Sequence, residues 1–294
     1  MQRRRELFPA DRGLQARMVL AAVLTPAVVF ALLTLCVLML PSRVLVGLGL
    51  ATLLGVGAVV AERRRTDAAH PLAPGEEPDL RAIVTRLCVV ADLPEPEIAV
   101  DDERQPNSWI VDAPGRAPRL HVTRGLLELL EPAELEAVVA HELSHVVNRD
   151  AAVMTMVGLP GAVLLRGGGT NVWFGFWLMA GRLVGTAIGT IAALGSNTLS
   201  RYRELTADAG AVALTGRPSA LASALMKVSG DLVRVPGEDL RAVAARDALH
   251  LLPVETVTGW RRALHATHPS VQRRLAALAR LERELQHARP THRR

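Results

Sequence analysis

The segment His141-Glu142-Leu143-Ser144-His145 is the part of the sequence best equipped for chemistry. It reads H-E-x-x-H, and it lies in a stretch where Leu135, Val138, Val139, Leu143, Val146 and Val147 recur at helical spacing. Residues four apart share a helical face, so both imidazoles can aim a nitrogen at one point about 2.1 Å away, the zinc–nitrogen distance. Glu142 then points near the metal without binding it, placed to take a proton from a water held there. The competing reading is two surface histidines on an amphipathic helix. With nine histidines in 294 residues, a chance match to the pattern arises in about one or two of a hundred such chains.

A zinc peptidase needs a third protein ligand and an open fourth position. The best candidate is Glu204, within Ser200-Arg201-Tyr202-Arg203-Glu204-Leu205-Thr206-Ala207-Asp208. Asp208 lies one turn further along the same face, where it could accept a hydrogen bond from the free ring nitrogen of a zinc histidine. Taken alone, the segment also fits an ordinary charged helix face with carboxylates four apart. Its company with H-E-x-x-H tilts the balance toward the ligand reading.

The elements that must position these groups begin in lipid. Residues 18–40 run without a charge, about the length a bilayer core requires, and predict a transmembrane helix. Pro41, Ser42 and Arg43 make a tight turn, and 44–61 is a second uncharged run. Arg3, Arg4, Arg5, Arg12 and Arg17 precede the pair and Arg63, Arg64 and Arg65 follow it, which places both flanks in the cytoplasm. The first run is too long for a cleaved signal peptide and lacks a small-residue cleavage site.

Residues 66–77, with Pro71, Pro74 and Gly75, read as a linker. Leu80, Ile83, Val84, Leu87 and Cys88 predict an amphipathic helix. The short β-branched runs 97–100, 107–111 and 120–122 predict a small antiparallel sheet. The segment 126–130 returns to helical periodicity. From 151 to 199 the chain turns apolar again, interrupted by Pro160, Arg166, Gly167–Gly169 and Arg182, and predicts a second membrane hairpin more weakly than the first, with a soluble or re-entrant hairpin as the alternative. An arginine such as Arg182 should snorkel to the interface or line a polar cavity. Soluble helices are expected over 201–214, 219–228 and 271–285, followed by a basic tail.

Composition agrees with a membrane protein: 50% hydrophobic residues and a mean hydropathy of +0.23 exceed what most soluble domains carry. Disorder, collagen and disulfide scaffolds are excluded by the apolar content, the lack of a glycine period and the presence of two cysteines only. Cys36 and Cys88 read as neither bridge nor ligand. A net charge of +5 raises nucleic-acid binding, but the arginines flank apolar runs and no aromatic platform accompanies them. His70, His121, His250, His265, His287 and His292 have no partner at ligand spacing.

The order of two apolar spans, H-E-x-x-H, a further apolar stretch, R-E-x-x-A-D over Arg203–Asp208 and then Thr267-His268-Pro269 resembles the HtpX-type membrane zinc endopeptidases, relatives of the CAAX prenyl proteases. The similarity covers nearly the whole chain, and 120–150, with V-T-R-G-L-L-E-L-L leading into A-V-V-A-H-E-L-S-H, looks like the family's core segment. The resemblance implies a gluzincin-like α+β peptidase domain, mostly α, carried by membrane helical hairpins. It implies one zinc held by His141, His145 and Glu204, with Glu142 as base and Asp208 orienting a zinc histidine. It also matches Asn107 to a substrate-holding asparagine on an edge strand, and His268 to a histidine that stabilises the oxyanion. For His268 a helix-entry role before Pro269 and Ser270 stands as an equal alternative. Arg274 reads either as a partner for a carboxylate near the zinc or as a solvated helix residue. The chain departs from the family pattern at Asn107-Ser108-Trp109, after the asparagine.

The expected organisation is a transmembrane hairpin over 1–65, a first peptidase part over 66–150, a second hairpin over 151–199, and a second peptidase part over 200–294. The expected activity is zinc-dependent cleavage of membrane or misfolded polypeptides at the cytoplasmic face of a bacterial-type inner membrane, with both termini in the cytoplasm. A processing peptidase for one substrate and a non-catalytic zinc-stabilised scaffold are the alternatives; a structural zinc site needs no base, so Glu142 speaks against the scaffold. The partners implied are polypeptides and the bilayer, and no nucleic acid.

Overall fold

The computed structural model describes residues 12–67, 72–73, 75–111, 117–148, 157–159, 161–165, 175–232 and 268–288. The chain forms two compact units, one from Arg12–Ala69 with Ala152–Ser200, the other from His70–Ala151 with Arg201–Arg294 and the first residues. The basic flank before residue 12, Arg166 with Gly167–Gly169, the C-terminal tail, His70, His250, His265 and His292 lie outside the described residues.

The first unit holds α1 (Arg12–Met39) and α2 (Ser42–Asp67). The break between them falls at Pro41, whose carbonyl accepts from the Val44 and Leu45 amides to start the second helix. Helix α1 is apolar around its circumference. Val19, Val23, Phe30, Leu38 and Met39 are each more than 60% exposed. Water would penalise that surface heavily, whereas hydrocarbon would not. Among the described residues three helical stretches, Val19–Met39, Ser42–Ala61 and Met179–Thr215, are long and apolar enough to cross a membrane. Val29, Leu48, Leu164, Ile188 and Ala192 form this unit's core. Gly181 packs so closely that a Cβ there would run into the backbone of Gly47 and Leu48, the small-residue contact by which helices associate in lipid.

The Met179–Thr215 stretch belongs to α6 (Gly175–Thr215), a single helix of 41 residues. A separate helix over 201–214 was expected, and the structure corrects this: the chain does not break near residue 200. Gly185, Gly189 and Gly195 each cost a helix only about 1 kcal/mol relative to alanine, and no proline interrupts the run. The helix stops at Thr215, where Gly216 takes a left-handed φ of 66° and its amide caps the Val212 carbonyl.

The second unit runs α3 (Pro78–Ala91), β1 (Glu97–Asp101), β2 (Ser108–Val111), β3 (Arg119–Thr123), α4 (Arg124–Leu129) and α5 (Pro132–Val147), then the end of α6, α7 (Pro218–Leu232) and α8 (Val271–Ala288). Its sheet has the order β1-β3-β2, with β2 antiparallel and β1 parallel to β3. That corrects the expected antiparallel sheet. Period-two burial is the same for either direction, so the sequence pattern carries no information on it. The central position goes to the strand whose Leu120 and Val122 are fully buried.

Leu80, Ile83, Val84, Leu87 and Cys88 of α3 all enter one core with Leu120, Val122, Leu135, Val138, Val139, Leu143, Leu221, Leu225 and Leu278. Burying each such leucine contributes about 2 kcal/mol. Cys36 and Cys88 are free thiols, and burial pushes the Cys88 thiol up to about 11, away from reactivity. His121 also belongs to the framework, its Nδ1 lying 3.0 Å from Asp101 Oδ2 and its ring stacked on Trp109 at 4.7 Å.

Candidate metal centre

Helix α5 starts from a reciprocal cap in which Glu131 and Glu134 each bond the other's backbone amide, with Pro132 in the first turn. Glu134 also accepts from Ser223 Oγ at 2.6 Å and from Lys227 Nζ at 2.7 Å, which ties the start of α5 to α7. Burial alone would raise the Glu134 carboxyl, but Lys227, Ser223 and the Glu131 amide hold it below its ordinary value. From this anchored start, one face of α5 fills the core with Leu135, Val138 and Val139, and the helix carries His141, Glu142 and His145 two turns later.

The end of α6 brings Glu204 to the same place. Its Oε2 lies 3.5 Å from His141 Nε2 and its Oε1 3.6 Å from His145 Nε2. Ligands about 2.1 Å from a tetrahedral ion sit about 3.4 Å from one another, so the donor set fits a zinc ion. His141, His145 and Glu204 are the one group of this kind found among the described residues, and all three ligand atoms lie within 4.8 Å of each other. The two imidazoles meet edge to face, with centroids 5.0 Å apart.

The surrounding residues fix these side chains. His141 Nδ1 is 3.0 Å from Asp208 Oδ1, and Arg274 of α8 grips Asp208 through both carboxylate oxygens, Nε to Oδ2 at 2.9 Å and Nη2 to Oδ1 at 2.6 Å. Arg274 is fully buried. Burial disfavours its charge, yet Asp208, Glu204 and Glu142 keep its pKa above the ordinary value. Burial likewise disfavours a charged His141, but its bonds to Asp208 and Glu204 prevail and raise the ring to about 9. The Glu142 carboxyl is raised, chiefly by its burial.

Every sequence-derived site residue can be placed. Asp208 and Arg274 stand together behind His141. His268, just ahead of α8, lies with Nδ1 3.2 Å from Glu204 Oε2, and Ser270, not His268, receives the Arg273 amide at the helix entry. Asn107 is buried immediately before β2, its amide donating to the Thr123 hydroxyl and its carbonyl accepting from the Thr123 amide. Its side chain is not brought to the ligand cluster by any of those bonds. Two nearby residues escaped the sequence reading. Arg203 Nη2 lies 3.1 Å from His145 Nδ1, and Ser108 Oγ donates to Glu142 Oε1 at 3.0 Å. The neighbourhood of Arg203 and Glu204 in sequence was a signal for the first; nothing in sequence spacing pointed to the second.

Two histidines of an H-E-x-x-H helix met by a carboxylate from α6, backed by an α+β core, are the arrangement of a metallopeptidase. Residues 74–282 match the model of the family described as Peptidase family M48, and the chain belongs to that family. It is 38% identical over 290 residues to "Protease HtpX homolog 2" of Methanosarcina acetivorans, covering 94% of this chain and 97% of that one. "Protease HtpX homolog 1" of Streptomyces coelicolor is 38% identical, with 95% and 96% covered, and "Protease HtpX homolog" of Moorella thermoacetica 37%, with 97% and 100% covered. Among solved structures, S. mikatae Ste24p superposes with a TM-score of 0.46 at 18% identity, over 87% of this chain and 66% of that one. The protein is thus an HtpX-like metallopeptidase and, with its apolar helices, a multi-pass membrane protein.

Proposed function

We infer that this protein is a zinc-dependent endopeptidase that cleaves membrane or misfolded polypeptides at the cytoplasmic face of the membrane. The observation that carries the reading is the convergence of His141, His145 and Glu204 at tetrahedral spacing beside a carboxylate, Glu142, that is not one of the three. When bound, zinc supplies a Lewis acid that polarises the scissile carbonyl and acidifies a water. Glu142 takes the proton of the attacking water and later delivers it to the leaving amine. Its burial, which raises the carboxyl, makes it a stronger base than a solvated glutamate.

Asp208 accepts from His141 Nδ1–H and thereby turns the Nε2 lone pair toward the ligand cluster, while Arg274 fixes Asp208. His268 rests one ring nitrogen against Glu204 and would offer the other to the carbonyl oxygen as charge develops there. Among the described residues β2 pairs on one side only, with β3, so an extended substrate can add to its other edge beside Asn107. The arginine-flanked apolar spans support a cytoplasmic site next to the bilayer, and the HtpX protease names of the relatives support polypeptides as substrates.

Glu142→Gln tests this reading. It keeps shape and hydrogen bonding but removes the base, so zinc stoichiometry should hold while turnover falls by about 10² to 10⁴. A variant that binds zinc and cleaves at the unmutated rate would show that Glu142 is not the base.

A further inference from the structure

We propose that Ser108 is the positioning residue of the base: its hydroxyl holds one oxygen of Glu142 and so aims the other at the reacting water. The proposal rests on the peptidase reading above and extends it to a residue outside the metal set.

The geometry is local and rigid. Ser108 Oγ donates to Glu142 Oε1 at 3.0 Å, across 34 residues of sequence. Ser108 is fully buried and Glu142 is only 4% exposed. A glutamate side chain has three rotatable bonds, and a carboxylate offers about four lone-pair directions. Without an anchor, the carboxylate of Glu142 would sample several orientations relative to the ligand cluster. One short bond from a fixed donor selects among them.

The donor is fixed because its strand is. Ser108 stands opposite Val122 in the β2–β3 ladder. Just before it, Thr123 clamps the chain: its hydroxyl accepts the Asn107 amide at 2.8 Å and donates to the Gln105 carbonyl at 2.8 Å, and its amide donates to the Asn107 carbonyl at 3.0 Å. Upstream, the Gly125 amide donates to the Glu103 carbonyl at 3.0 Å, and a Cβ at Gly125 would run into the Arg104 carbonyl. The loop leading to Ser108 therefore has little freedom.

A consequence concerns register. The strand that carries Ser108 is an edge strand, pairing among the described residues with β3 alone, so its outer side can take an added strand. A peptide docked on β2 is thus set, through one rigid element, relative to both its own backbone contacts and the oxygen that Ser108 leaves free. The same strand aligns scissile bond and base.

The test compares Ser108→Ala, Ser108→Thr, Glu142→Gln and the double variant Glu142→Gln/Ser108→Ala, each as full-length zinc-loaded protein. Two quantities are read: kcat and KM on an unstructured reporter peptide, and the affinity for a peptide hydroxamate, whose zinc-binding group must also bond the base. Ser108→Ala should lower kcat about tenfold with KM nearly unchanged, and weaken the hydroxamate by a similar factor. Ser108→Thr, which keeps the hydroxyl, should recover most of both. In the Glu142→Gln background, Ser108→Ala should weaken the hydroxamate far less. Equal losses in both backgrounds, a loss confined to KM, or no loss at all would overturn the proposal. A wild-type protein that binds hydroxamate with this coupling yet cleaves nothing would overturn the peptidase reading and leave Ser108 in place.

Discussion

His141 is the residue at which metal, proton and fold compete. Its ring is raised from 6.5 to about 9 because Asp208 and Glu204 outweigh the cost of burying its charge. A raised folded-state value means that the contribution to the zinc-free fold is fully present below pH 6.5 and is lost as pH climbs through about 9. The same proton blocks the ligand nitrogen, so zinc must displace it. Competition titrations against a chelator should find zinc binding about tenfold weaker near pH 7 than near pH 8. An affinity constant across that interval would contradict the coupling. The two histidines were legible in sequence because helical spacing alone makes residues four apart neighbours. Ser108 was not, because its bond to Glu142 depends on how a strand lies against α5, and no local pattern encodes that. Arg203 stood in view beside Glu204, but its contact with His145 spans 58 residues and needed the tertiary fold.

At the scale of elements, the position of the H-E-x-x-H helix is set at its far end. Glu134 is the one side chain that caps α5 and also meets Ser223 and Lys227 of α7. Glu134→Ala should therefore destabilise the second unit by about 2 kcal/mol at neutral pH, seen as a lower melting midpoint in detergent. Its carboxyl is depressed in the folded state, so the contribution is present above 4.5 and is lost as pH falls through the depressed value. The gap between wild type and variant should close on acidification; equal midpoints at neutral pH would rule out the anchor. Element types were largely readable, since α3 and α5 announce themselves by apolar spacing. Strand direction and the continuity of α6 past residue 200 were not: burial alternates alike in parallel and antiparallel strands, and the change from an apolar to a charged stretch near 200 leaves the backbone helical.

For the whole molecule, the requirement is that His145 and Glu204 meet on one side of the membrane. On the function proposed above, the chain between 150 and 200 is expected to cross the bilayer an even number of times, zero or two, and the arginine flanks favour the cytoplasm as that side. A reporter enzyme fused after Arg294 should be active only in its cytoplasmic form; activity confined to the opposite side would refute this topology. The membrane character and the peptidase family were both legible in the sequence, because apolar length and a metal-binding helix are local signals. The central claim, hydrolysis that depends on zinc in the His141, His145 and Glu204 cluster, is tested most directly with purified full-length protein and an unstructured fluorogenic reporter. Cleavage should proceed with the zinc-loaded protein, stop when a chelator removes the metal, and return when zinc is added back. Cleavage that persists after metal analysis finds no zinc, or a fully zinc-loaded protein that cleaves nothing, would contradict it.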